Sequence, residues 1–191
     1  KYRDLNGDGV IDDYDKMPVG FCDIPEITYG FGGAIEWKGF DVSIFFQGTA
    51  RVSIFEEGSA VVPFSSGYKN NNGFLKGVME DRWTVDNPNP NARYPRTIRP
   101  SDALDNNNTK KSSFWVRNAA YLRLKNAEIG YTFPKRWMEK MAIQNLRLYV
   151  SGVNLLTWAP DVRLFDPELG SGDGRKYPPT RVFNVGLNIN F

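Results

Sequence analysis

Residues 181–191 read RVFNVGLNINF and alternate with a period of two. Phe183, Val185, Leu187, Ile189 and Phe191 fall on one face; Val182, Asn184, Gly186, Asn188 and Asn190 fall on the other. Side chains of an extended strand point alternately to opposite sides, so the pattern predicts a strand with one apolar and one mostly polar face.

The same alternation recurs upstream. Residues 28–37 place Tyr29, Phe31, Gly33, Ile35 and Trp37 on one face, and residues 40–48 return with Phe40, Val42, Ile44 and Phe46. The intervening Lys38-Gly39 is a two-residue hairpin turn. Residues 121–133 form a longer strand whose apolar set changes phase, from Leu122 and Leu124 to Ala127, Ile129, Tyr131 and Phe133. A one-residue slip of this kind predicts a β-bulge near Asn126. A helical turn is expected after Pro134, over residues 134–142. Residues 145–158 then give a further strand, with Leu146, Leu148 and Val150 opposite Arg147, Tyr149 and Ser151.

Five strands are thus joined by connections that alternate short, long, short, long. The short links follow Trp37 and Phe133; the long ones run from Gly48 to about Tyr121 and from Trp158 to about Thr180. Outer-membrane barrels have short periplasmic turns and long extracellular loops, whereas the last strands of a soluble sandwich have no reason to sort their loops. The terminal aromatic, Phe191, is also the usual ending of bacterial barrel proteins. The expected fold is all-β: antiparallel strands of a transmembrane β-barrel. Five strands cannot close one, since the smallest single-chain barrels use about eight, so the others are expected upstream or from other chains. No leader follows Lys1, so an export signal is expected upstream as well.

Composition narrows the function classes. Aromatic residues make up 14% and sit mostly in the alternating runs, as a lipid-facing wall requires. A net charge of +2 with scattered Lys and Arg, and no recognised module, argues against nucleic-acid binding. The chain has no histidine and a single cysteine, Cys22, which removes histidine-based triads and thiolate metal sites. Paired carboxylates such as Asp81 and Asp86 could be imagined as a glycosidase pair, but their spacing on a loop carries almost no signal. No enzyme activity is expected.

Residues 4–15, DLNGDGVIDDYD, match an EF-hand calcium loop. Asp4, Asn6 and Asp8 take the first three liganding positions and Gly9 the sharp turn. Val10 offers a carbonyl, Asp12 the position often bridged by water, and Asp15 the last. A hard divalent cation wants six to eight oxygens, and alternate carboxylates around a glycine turn supply them. Asp15 replaces the usual bidentate Glu, and the following residues do not continue as a helix. Ca²⁺ is expected to stiffen an extracellular loop; an acidic turn held by its own Asn and Asp side chains is the plainer reading.

The order of motifs resembles the late barrel of SusC/RagA-family TonB-linked outer-membrane proteins. The matching stretches are DLNGDGVID, PEITYGFGGAIEWKGFDVSIFFQG, RWTVDNPNPNARYPR (82–96), YLRLKNAEIGYTFP (121–134), LRLYVSGVNLLTW (146–158) and NVGLNINF. The resemblance implies the C-terminal part of a 22-stranded barrel, with a plug domain and TonB-contacting segment upstream. It implies a SusD-like surface lipoprotein partner and uptake of glycans or peptides. On this reading residues 28–48 form a hairpin, 49–120 a long extracellular loop and 121–191 the last three strands. Arg123, Lys125, Glu128, Arg147, Asn184 and Asn188 would face the interior. In the long loop Tyr68, Phe74, Tyr94 and Trp115 are candidate sugar-stacking rings, while Trp83 is expected to pack into the loop's own core. Trp37, Trp137 and Trp158 would mark the membrane interfaces. A soluble calcium-stabilised β module for carbohydrate binding or adhesion is the alternative, and exposure of the apolar rows separates the two.

Overall fold

The computed structural model describes residues 2–58, 60–62, 75–97, 108, 110–138 and 143–191. Strands β1 (Ile27–Trp37), β2 (Phe40–Ala50), β5 (Tyr121–Thr132), β6 (Asn145–Trp158) and β7 (Val182–Asn190) form one antiparallel sheet, in the order β1-β2-β5-β6-β7. Two three-residue strands, β3 (Ser53–Phe55) and β4 (Val116–Asn118), pair within the connection between β2 and β5. That connection also carries a helical turn, α1 (Lys76–Glu80), and a second turn, α2 (Lys135–Met138), follows β5.

The register makes the alternation two-dimensional. Ile35 pairs with Val42, Val42 with Ile129, Ile129 with Val150 and Val150 with Val185, so one apolar row crosses all five strands. The next row towards the short turns is Trp37, Phe40, Tyr131, Leu148 and Leu187. These rows are open to the surroundings: Ile35 is 74% exposed and Val185 76%. A water-soluble sheet would bury such a face against a second layer, because apolar area left in water costs roughly 25 cal/mol per Å². Here the face is unpartnered on every strand, as a wall meeting hydrocarbon requires. Among the described residues no helix is long and apolar enough to cross a membrane.

The bulge lies at Lys125. Phe45 pairs with Asn126 but Phe46 with Leu124, and the register to β6 shifts at the same place. Lys125 therefore drops out of the ladder. The extra residue brings Leu122 and Leu124 onto the same face as Ala127, Ile129 and Tyr131. On β6, Asn154 adopts φ +56° across from the bulge and donates to the Thr180 carbonyl at 2.9 Å. The hairpin turn between β1 and β2 uses Lys38 at φ +50° and Gly39 at φ +88°, the left-handed pair that a two-residue turn of matching twist requires.

The buried apolar clusters belong to the connections on the long-loop side. Val61, Val62, Val78, Tyr94 and Trp115 form one cluster; Val52, Ile54, Ala119 and Val162 form a second, and Phe165 packs against both. The segment 49–120, read from the sequence as one long loop, is thus in part a folded platform. Its strands are too short and its pairings too distant in the chain to show as periodicity. The connection between β6 and β7 locks into it. The Gly172 amide donates to the Phe55 carbonyl at 2.9 Å, and the Glu57 amide to the Gly172 carbonyl at 3.0 Å.

Candidate functional site

The sheet face opposite the apolar rows carries charge, amide and glycine. Ala34, Ser43, Glu128, Ser151 and Asn184 form one of its rows. Arg147 on β6 reaches across β5: its Nε donates to Asp41 Oδ1 at 3.0 Å, Nη2 donates to Asp41 Oδ2, and Nη2 also donates to Glu128 Oε1 at 2.7 Å. Gly130 makes room for it, since a Cβ there would stand 2.5 Å from the guanidinium. Phe45 lies over Gly30 and Gly32, and Tyr149 over Gly186, in the same way. Large side chains on this face are held by glycines on the neighbouring strand. The result is a polar lining, ordered by cross-strand contacts, behind an apolar outer wall.

Above this lining Arg123, 1% exposed, is held by a single turn at Pro167–Leu169. Its Nη2 donates to both carboxylate oxygens of Asp166 at 2.7 Å, and Glu168 stands 3.6 Å from Nη1. Tyr121 donates its hydroxyl hydrogen bond to Glu168. The connection between β6 and β7 is thereby drawn over the polar face of the sheet.

The platform has an ionic centre. Glu56 is fully buried; Arg117 Nε donates to its Oε2 at 2.8 Å, and Arg93 lies 3.6 Å from its Oε1. Arg93 also donates to Asp161 Oδ1 at 3.0 Å, while Asp161 Oδ2 accepts from the Asn118 amide at 2.8 Å. Tyr94 donates to Glu56 Oε2 at 3.4 Å, and burial, with the Glu56 charge second, raises its hydroxyl pKa above the ordinary value. Three separate chain segments meet at this carboxylate, and Arg93 ties in a fourth through Asp161.

The residues singled out from the sequence fall in three places. Tyr68 and Phe74 lie outside the described residues. Tyr94 and Trp115 are 1% and 3% exposed and belong to the platform core, so their faces are taken by protein. Trp115 also borders a cleft of about 210 Å³ with Phe55, Glu57 and Lys111, smaller than the roughly 300–1,000 Å³ of usual ligand pockets. Trp83 is half-buried beside Tyr94, whose carbonyl accepts its amide at 2.9 Å. Glu56, Arg93, Arg117 and Arg123 carry no local sequence signal, because each partner is tens of residues away.

The loop at 4–15 closes on itself. Asp4 accepts from the Gly7 and Gly9 amides at 2.6 and 2.9 Å, Asn6 from Asp8 at 3.0 Å, and Asp8 from Val10 at 2.8 Å. Asp12 accepts from Tyr14 at 2.8 Å, and Asp15 from Leu5 and Asp12 at 2.7 and 2.9 Å. These amides, Leu5 first and Asp12 second, lower the Asp15 pKa. Gly7 and Gly9 take φ +80° and +83°. Among the described residues no three acidic, histidine or cysteine side chains converge as a metal-holding group. The donor set is nonetheless all oxygen, and each carboxylate oxygen that accepts one amide keeps a second lone pair.

A polar-lined, lipid-walled antiparallel sheet with its loops folded on one side defines a segment of an outer-membrane β-barrel. No family model matches the chain. Over its full length it is 32% identical to TonB-dependent receptor P26 and 30% identical to TonB-dependent receptor P3, both of Formosa agariphila. It is 25% identical to TonB-dependent receptor SusC of Bacteroides thetaiotaomicron. Against the RagAB peptide importer in its open-open state it superposes with a TM-score of 0.68 at 22% identity, covering 95% of this chain and 19% of that one, which speaks for the fold. The chain spans 19% of the length of each of the two Formosa receptors. It belongs to the barrel of the SusC/RagA family of TonB-dependent receptors, which are outer-membrane proteins.

Proposed function

We propose that the protein containing this chain imports a nutrient, a glycan or a peptide, across the outer membrane. Import would draw on TonB through a plug region upstream and use a SusD-like surface lipoprotein at the loop side. The observation that supports this reading is the two-faced sheet: apolar rows unpartnered on every strand, and a polar lining ordered around Arg147 behind them. The alternative, a soluble calcium-stabilised module, would need those rows covered. Deletion of the encoding gene, followed by growth on single glycans and peptides, tests the reading. Growth should fail on one class of nutrient, and affinity purification from the outer membrane should bring down a lipoprotein. Unchanged growth on every nutrient, with no co-purifying lipoprotein, would reject it.

The loop at 4–15 is proposed to take Ca²⁺ on the free lone pairs of Asp4, Asn6, Asp8, Asp12 and Asp15 with the Val10 carbonyl. Its glycine turns and amide contacts support that donor arrangement. Calorimetry on the full-length protein should show calcium uptake that Asp8→Ala abolishes. No heat at millimolar calcium would leave the loop as a self-capped acidic turn.

A further inference from the structure

The short-turn end of the sheet carries an aromatic belt with cations just beyond it. Phe40 and Tyr131 have ring centroids 4.5 Å apart, Tyr131 and Phe133 5.1 Å, and Phe133 and Trp137 6.0 Å. Trp37 continues the belt in the same row as Phe40 and Tyr131, and Lys38 Nζ stands 4.8 Å from its ring centroid. Aromatic rings at this level are what a bilayer interface favours. The Thr132 amide donates to the Gly39 carbonyl at 2.7 Å, so the β1–β2 turn and the start of the β5–β6 connection lie side by side. Lys38 from the first and Lys135 and Arg136 from the second are thereby gathered at one edge.

No carboxylate pairs with these three cations among the described residues. Glu36 and Asp41, the carboxylates that flank Lys38 in sequence, fall in one row on the polar face, and Arg147 engages Asp41. At the far end of the same strands the arrangement differs: Arg51 is neutralised by Glu26 at 2.7 Å and lies over the Phe21 ring. Among the described residues the sheet thus carries positive charge without a carboxylate partner beyond its belt at the short-turn end, continuous with the lipid-facing wall.

We infer that Lys38, Lys135 and Arg136 form a docking surface for the phosphate of an anionic glycerophospholipid headgroup. The acyl chains would lie along the Trp37, Phe40 and Tyr131 row. This inference rests on the barrel reading and names the lipid chemistry of that wall. Cations near an anionic membrane surface each contribute about fivefold in affinity, so the triple variant should lose on the order of 100-fold.

The full-length protein, purified in a neutral detergent, is titrated with phosphatidylglycerol or phosphatidylcholine, and retained lipid is counted by native mass spectrometry. The wild type should retain phosphatidylglycerol in preference. K38Q/K135Q/R136Q should lose that preference, and Arg51→Gln should keep it. Equal retention of both lipids by the wild type, an unchanged triple variant, or displacement by equimolar inorganic phosphate would each overturn the inference. Heat-dependent gel mobility separates the two levels. Failure of this inference leaves a heat-modifiable barrel without lipid preference, whereas failure of the barrel reading leaves no heat-modifiable species at all.

Discussion

Two residues show how far the loops depend on single carboxylates. Glu56 has no water contact and faces Arg117 and Arg93. A buried charge pair adds little over an apolar replacement, but removing one partner strands the other, at a cost of about 3–5 kcal/mol. Glu56→Ala should therefore open the platform while leaving the sheet folded. Limited proteolysis should show new cleavage between β3 and β4 with the barrel band retained. Asp15 responds to acid. Its folded pKa lies below the ordinary 3.8 because the Leu5 and Asp12 amides stabilise the ionised form. The order it gives the loop is present above about 3.8 and is lost as pH falls through the lowered folded value. Protease protection of residues 4–15 should fall on acidification below that point, and Asp15→Asn should flatten the transition.

At the scale of the element, the strands were legible because period two survives in each of them, and the phase change between Leu124 and Ala127 located the bulge to within one residue of Lys125. The platform was not legible. Strands β3 and β4 have three residues each, and their pairing joins Ser53 to Asn118 across the whole connection. Arg123 read correctly as facing inward, yet nothing nearby in the chain announces Asp166 as its partner. The calcium-like motif was legible as a pattern of oxygens, and its amide contacts needed coordinates. The bulge also carries a prediction. Deleting Lys125 would remove the extra residue and leave Leu122, Leu124, Ala127, Ile129 and Tyr131 on one face in plain alternation. The full-length variant should still give a heat-modifiable barrel on gel electrophoresis, whereas deleting Ser43 from β2, which pairs with β1 without a break, should abolish it.

For the whole molecule, the wall and the lining set opposite tolerances at adjacent positions. Val185 lies in the apolar row that crosses all five strands, and Asn184 beside it faces Ser151 in the polar row. Arginine at the midplane of a lipid-facing wall costs about 2–4 kcal/mol. Val185→Arg should lower the stability of the full-length protein in vesicles by that amount, and Asn184→Arg should change it by less than half as much, as read from denaturant titration of the inserted protein. Similar losses at both positions would mean that the two faces do not differ in their solvent.

The contact that threads Gly172 between Phe55 and Glu57 has a consequence for how the outer portion comes apart. Two connections that are far apart in the chain share hydrogen bonds in both directions, and neither can fray without stripping the other of its partners. They form one cooperative unit, so hydrogen exchange at Gly172 and Glu57 should share a single opening rate.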